Sequence, residues 1–161
     1  MPKIEVKSYP EGFVVGLVIH TQGMSAEIPK LWEKLAQHES EIEDLDETAH
    51  VAYGISIMGP DWAETHAFDY LAGMPVKGEP TQLPEGMASF KIHAGEYVMV
   101  RCPNLASIQQ GYEALYNRWL PQSDYQIDIS GGNFCFELYG EEYNPSEGSE
   151  IFHIYVPVLK K

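Results

Sequence analysis

Glu137 stands in the middle of Phe134-Cys135-Phe136-Glu137-Leu138-Tyr139, a run whose other members are apolar or aromatic. In a strand the period-2 alternation puts Phe134, Phe136 and Leu138 on one face and Cys135, Glu137 and Tyr139 on the other. A carboxylate placed there costs free energy unless it is hydrogen-bonded or paired, and burial without a partner raises its pKa. Such a group suits the counter-charge of a cationic ligand, with aromatic walls adding cation–π attraction of about 0.5 to 2 kcal/mol per contact. The plainer readings are a solvated outer face or a structural bond to a tyrosine hydroxyl. If helices cover the phenylalanine face, Glu137 points into the space between the two halves of the chain.

Aromatic material for a pocket is plentiful, with ten Tyr, three Trp and six Phe. Tyr53, Tyr97, Tyr139 and Tyr155 fall on predicted strands and are expected to shape the pocket around Glu137. Trp62 and Phe68 are expected to close its rim. Trp32, Tyr112 and Trp119 ride apolar helical faces and are assigned to the core.

Other site chemistry does not assemble. His20, His38, His50, His66, His93 and His153 show no His-x-x-x-His spacing and there is no Cys-x-x-Cys, so no metal site is expected. A Gly-x-Ser-x-Gly turn, a Walker-type loop and a dinucleotide fingerprint are all missing, so no cofactor is expected either. Cys102 and Cys135 sit in apolar, strand-like stretches that suit buried reduced thiols. Ten Lys and Arg against 24 Asp and Glu give a net charge of −14, which repels phosphate backbones and argues against direct nucleic-acid binding. The longest apolar runs, such as Phe13 to Ile19, are too short to cross a bilayer, and Met1 to Pro10 lacks the pattern of a secretory signal. A cytoplasmic protein is expected. Glu39, Glu41, Glu43, Asp44, Asp46 and Glu47 form an acidic run without calcium-loop spacing, read as a solvated face. That run is also the one sequence feature that supports docking onto a protein partner.

The elements that must carry these residues repeat weakly at an offset of 82 to 84 residues. In the first half, a strand at Phe13–Ile19 precedes a helix over Ser25–Leu45 with Ile28, Leu31, Trp32 and Leu35 at helical spacing, and Pro29 fits its first turn. Strands follow near His50–Met58 and His66–Val76, separated by the Gly59-Pro60-Asp61 turn. In the second half, strand sequence over Ala88–Cys102 is interrupted at Ala94-Gly95, and a helix capped by Asn104 runs to Pro121. Strands near Asn133–Tyr139 and Ile151–Val158 close it. Val15 aligns with Val98, Gly54 with Glu137, and Phe68 with Phe152. The pattern predicts one α+β domain over 1–161, with strand-helix-strand-strand pseudo-repeats of about 1–80 and 81–161. Their pseudo-twofold relation would place helices on one side of antiparallel sheet and a central pocket near the axis.

Several segments together resemble the GyrI-like (gyrase-inhibitor-like) family, which also supplies the effector-binding part of AraC- and MerR-type multidrug regulators. They include Val14-Val15-Gly16, Ile28-Pro29-Lys30-Leu31-Trp32, Tyr53-Gly54-Ile55, Phe68-Asp69-Tyr70-Leu71-Ala72-Gly73, Ile92-His93-Ala94-Gly95-Glu96-Tyr97, Trp119-Leu120-Pro121, Phe136-Glu137-Leu138-Tyr139 and Ile154-Tyr155-Val156-Pro157-Val158. The resemblance covers nearly the whole length. It implies a central pocket whose glutamate is Glu137, and a ligand that is a small hydrophobic or cationic molecule, sensed or sequestered. No helix-turn-helix segment is recognisable, so the likeness is to stand-alone members. The resemblance also carries a hydrolase of cyclopropane-bearing electrophiles as an alternative, with Glu137 catalytic. A further alternative is a protein-interaction module that engages gyrase or a separate regulator.

Overall fold

The computed structural model describes residues 3–23 and 26–161, so Ser25, where the first helix is expected to start, lies outside the described residues. The strands are β1 (Lys3–Tyr9), β2 (Gly12–Gln22), β3 (Ala52–Met58), β4 (Ala67–Val76), β5 (Met87–Ile92), β6 (Gly95–Cys102), β7 (Tyr125–Ile127), β8 (Phe134–Tyr139), β9 (Tyr143–Asn144), β10 (Ser149–Glu150) and β11 (Phe152–Lys160). The helices are α1 (Glu27–His38), the single turn α2 (Trp62–Thr65), α3 (Ile108–Glu113) and α4 (Leu120–Gln122), the last two joined by a π-helical stretch at Ala114–Trp119. No described helix is long and apolar enough to cross a membrane.

Nine of the described strands form one antiparallel sheet in the order β1-β6-β11-β8-β3-β4-β2-β5, with β7 added to β11. The order reads alike from either end. Each half contributes its three long strands to its own side and sends its outermost strand to the far side, β1 pairing with β6 and β5 with β2. The registers agree as well: Val14 pairs with Pro75, and Tyr97, 83 residues on, pairs with Pro157. At the middle of the sheet β3 meets β8, and Gly54 lies directly opposite Glu137. The two residues that correspond in sequence are therefore also each other's cross-strand partners. The sheet register makes one correction to the sequence alignment: Ile19 pairs with Tyr70 and Cys102 with Phe152, so Phe152 corresponds to Tyr70 rather than Phe68.

Strand β1 carries no alternation strong enough to be read from sequence; it is ordered by its seven-residue ladder with β6. Helix α1 is shorter than expected, giving way after His38 to a single 3-10 turn at Glu39–Glu41. Acidic side chains crowd this C-terminal end, where the helix dipole already concentrates partial negative charge. The acidic stretch instead turns through Asp44, in the left-handed region at φ 57°, and brings Leu45 beside Val76. Asn104 caps the second helix as expected, its side-chain oxygen accepting from the Ser107 N–H at 3.0 Å. The π turn precedes Pro121, whose ring would clash with the carbonyl four residues back in a regular helix.

Both helices cover the same face. Leu31 and Leu35 of α1 pack with Val15, Leu17, Tyr70, Ala72 and Val76. Ile108 and Leu115 of the second helix pack with Val98, Val100, Cys102, Cys135, Phe152 and Ile154. This is the Cys135, Glu137 and Tyr139 face, so the helices do not lie over the phenylalanines, and Glu137 points to the helix side of the sheet. Phe134 and Phe136 belong to a third cluster on the opposite face, with Tyr53, Tyr97, Met99 and Tyr155. That face closes by curling. Tyr9 on β1 and Tyr53 on β3 lie four strands apart, about 19 Å in a flat sheet, yet their hydroxyls meet at 2.5 Å.

Candidate ligand cleft

Helix α1 and the start of the second helix stand apart on the sheet and leave a cleft of about 1210 Å³ between them. Trp32, Ile28 and Pro29 of α1 form one wall, and Leu105, Ile108 and Tyr143 the other. Glu137, Tyr139 and Tyr70 line it from the sheet, while Glu39, Leu45, Asp46, Glu47 and His50 belong to the segment after α1. Glu137 retains 7% of its exposure.

Three phenols hold the carboxylate. Tyr139, two residues along the same strand and hence on the same face, donates to Oε1 at 2.7 Å. Tyr70 donates to the same oxygen at 3.3 Å, and its own hydroxyl accepts from Trp32 Nε1–H at 3.2 Å. Tyr112, from α3, approaches Oε2 at 3.5 Å. No ion pair among the described residues involves Glu137. Burial raises its pKa above the ordinary carboxylate value, and the Tyr139, Tyr70 and Tyr112 hydroxyls offset part of that rise. Burial, with the acid beside them, also raises the pKa of Tyr70, Tyr139 and Tyr112, so all three remain donors at neutral pH.

Gly54 supplies the room. A Cβ at that position would lie 2.1 Å from the Tyr70 hydroxyl and 3.1 Å from Glu137 Oε1. The cross-strand partners Gly54 and Glu137 thus share one space at the centre of the sheet, and the empty position admits the phenol that bonds the occupied one.

Of the residues expected at the site, Glu137 and Tyr139 come together in the cleft. Tyr53, Tyr97 and Tyr155 do not: they face the opposite side, where Tyr155 stacks on Phe136 at 5.0 Å and the Tyr97 hydroxyl donates to the His93 carbonyl. Trp62 is 39% exposed and packs edge-on against His66, and Phe68 packs into the α1 cluster without lining the cleft. Trp32, Tyr70, Tyr112 and the acids Glu39, Asp46 and Glu47 are what sequence reasoning missed. Tyr70 is identified only once the register is known: it sits diagonally across from Gly54, where a long side chain reaches an emptied position. Cys102 and Cys135 are buried free thiols, pushed by burial up to about 11 and about 12 respectively. Among the described residues no group of three or more His, Cys, Asp or Glu could hold a metal ion.

An antiparallel sheet with helices on one face and an acid-floored, aromatic cleft between them defines a small-molecule-binding α+β domain. The chain belongs to the GyrI-like small molecule binding domain family, whose model matches residues 13–159. Solved structures share the fold. SAV2435 bound to tetraphenylphosphonium is 14% identical with a TM-score of 0.71, the match covering 98% of this chain and 94% of that one. The C-terminal domain of EcmrR is 17% identical with a TM-score of 0.74, covering 100% and 99%. A hydrolase from Listeria innocua is 12% identical with a TM-score of 0.58, covering 98% and 92%. No curated protein sequence matches significantly.

Proposed function

We propose that this protein binds a lipophilic cation in the cleft between its two helices, with Glu137 as the counter-charge and Trp32, Tyr70 and Tyr139 as the aromatic wall, and that it senses or sequesters that ligand. The observation that carries the reading is a carboxyl group with 7% exposure, without a cationic partner among the described residues, at the floor of an otherwise largely apolar cleft. A buried acid of this kind is costly when ionised and empty, and a desolvated cation removes the cost. The tetraphenylphosphonium found in the neighbour SAV2435 is a ligand of the same chemistry, and supports the reading by fold likeness. Titration with tetraphenylphosphonium, followed through intrinsic tryptophan fluorescence, to which Trp32 in the cleft contributes, tests it: saturable quenching is expected, and no saturable change up to millimolar ligand removes the proposal.

A hydrolytic role is the second reading, favoured by the uneven loading of the carboxylate. Oε1 accepts from Tyr139 and Tyr70, whereas Oε2 has only the long contact to Tyr112 and keeps a lone pair for a water proton. A raised pKa also suits a base working near neutral pH. Incubation with a cyclopropane-bearing electrophile, followed by product mass, separates the two: an adduct of one water that requires Glu137 makes the protein an enzyme.

A further inference from the structure

The cleft carries acids at two depths. Glu137 lies buried at the floor and points into the cavity with no cationic partner, while Glu39 and Glu47 are exposed and Asp46 half-buried at its mouth. The mouth acids are in no ion pair among the described residues. Asp46 accepts from the Thr48 N–H at 3.2 Å and the Thr48 hydroxyl at 2.6 Å, which fixes its carboxylate; Lys77 acts on it electrostatically without pairing. Among the described residues no Lys or Arg lines the cleft, and His50 is the one basic side chain in it. The walls also carry the apolar side chains of Ile28, Pro29, Leu45, Val51 and Met74. At about 1210 Å³ the space exceeds the roughly 300 to 1,000 Å³ typical of a site for one drug-sized molecule.

We propose that the preferred ligand is an elongated dication, two cationic groups joined by an apolar spacer, with one group on Glu137 and the other at Glu39, Asp46 and Glu47. The inference rests on the reading of the cleft as a cation site and specifies its ligand class. A monocation seated on Glu137 leaves the mouth acids without a paired cation, whereas a second head at the end of a spacer supplies one and lets the spacer cover the apolar walls. A polyamine fits less well, because its internal ammonium groups would be desolvated against those walls without partners. A metal ion does not fit, because no cluster of ligating side chains is present among the described residues.

The test compares decane-1,10-bis(trimethylammonium) with decyltrimethylammonium by calorimetry at fixed ionic strength, using the wild type, Glu137→Gln and the mouth variant E39Q/D46N/E47Q. The wild type is expected to bind the dication at least about tenfold tighter, beyond the factor of about two that two equivalent heads give statistically. In the mouth variant the ratio should fall to about three or less. In the wild type the dication's affinity should also fall more steeply with added salt, a readout that depends on no variant folding well. Equal affinities in the wild type, with both ligands weakened by Glu137→Gln, would overturn the dication and leave the cation site standing. A ratio unchanged in the mouth variant, or equal salt slopes, would overturn the second contact. Failure of both ligands to bind would remove the cation site and this inference together.

Discussion

Replacing Glu137 with Gln should move affinity and stability in opposite directions, and the pairing of the two effects is the sharpest test of the site. The substitution keeps the shape and leaves an amide oxygen to accept from Tyr139 and Tyr70, so the bonds to Oε1 persist. A cation centred about 5 to 6 Å from the carboxylate gains about 3 kcal/mol at an effective dielectric near 20. Solvent in the open cleft reduces that to about 1.4 to 2.8 kcal/mol, so the tetraphenylphosphonium Kd should rise about 10- to 100-fold in the variant. Stability of the empty protein should rise instead. Because the folded state raises the Glu137 pKa, the native protein holds a proton that the unfolded chain releases above its ordinary carboxylate value. That favours the fold at low pH and is lost as pH climbs through the raised pKa, so at neutral pH each unit of elevation costs the wild type about 1.4 kcal/mol. Glu137→Gln removes the cost. Fluorescence titration and urea unfolding at pH 7 measure the two quantities. An unchanged Kd would show that the acid is not the counter-charge, and a variant less stable than the wild type would refute the desolvation argument itself.

Further expectations follow from the same geometry. The wild-type affinity for tetraphenylphosphonium, whose own charge does not titrate, should weaken as pH falls through the raised Glu137 pKa, with proton release on binding in calorimetry; the Gln variant should lack this component. Gly54→Ala should destabilise the fold by about 1 to 3 kcal/mol and weaken ligand binding, since its Cβ would meet the Tyr70 hydroxyl at 2.1 Å; wild-type behaviour in both assays would contradict the shared space at the centre of the sheet. Tyr53→Phe, on the opposite face, should cost about 1 kcal/mol through loss of the Tyr9 hydroxyl partner and leave the tetraphenylphosphonium Kd within twofold, and a larger loss of affinity would place that face in the site.

Most elements were legible because their signals are local. The Ala94-Gly95 break between β5 and β6, the Asn104 cap and the alternation around Glu137 each depend on neighbours in sequence, and each appears where it was expected. What could not be read was the phase of one strand relative to another. Tyr53, Tyr97 and Tyr155 are on strands, as predicted, but choosing their face needs cross-strand register: Tyr53 pairs with Leu138, on the phenylalanine side, while Gly54 pairs with Glu137. A slip of one residue inverts every such assignment. The same limit hid the mouth acids. Read alone, Glu39 to Glu47 is a solvated face; only the end of α1 and the return of Leu45 to the sheet carry Glu39, Asp46 and Glu47 to the cleft.

The position of Glu137 has a consequence for how such a site can exist at all. Gly54 and Glu137 are cross-strand partners at the middle of the sheet, and two carboxylates there would face each other at close range with strong repulsion. Glycine on one side removes that conflict and creates a void, which the hydroxyl of Tyr70 fills from the diagonal position. Tyr70 is itself the counterpart of Phe152, so one half uses a phenol where the other uses a plain ring. Gly54 opposite Glu137 and Tyr70 on the diagonal therefore leave a single carboxylate at the centre of the sheet with its own hydrogen-bond donor. If that coupling is right, Tyr70→Phe should raise the pKa of Glu137 further, because one of the bonds that favours the charged form is lost. The pH at which tetraphenylphosphonium affinity begins to fall should then shift upward relative to wild type, and an unshifted profile would show that Tyr70 only fills space.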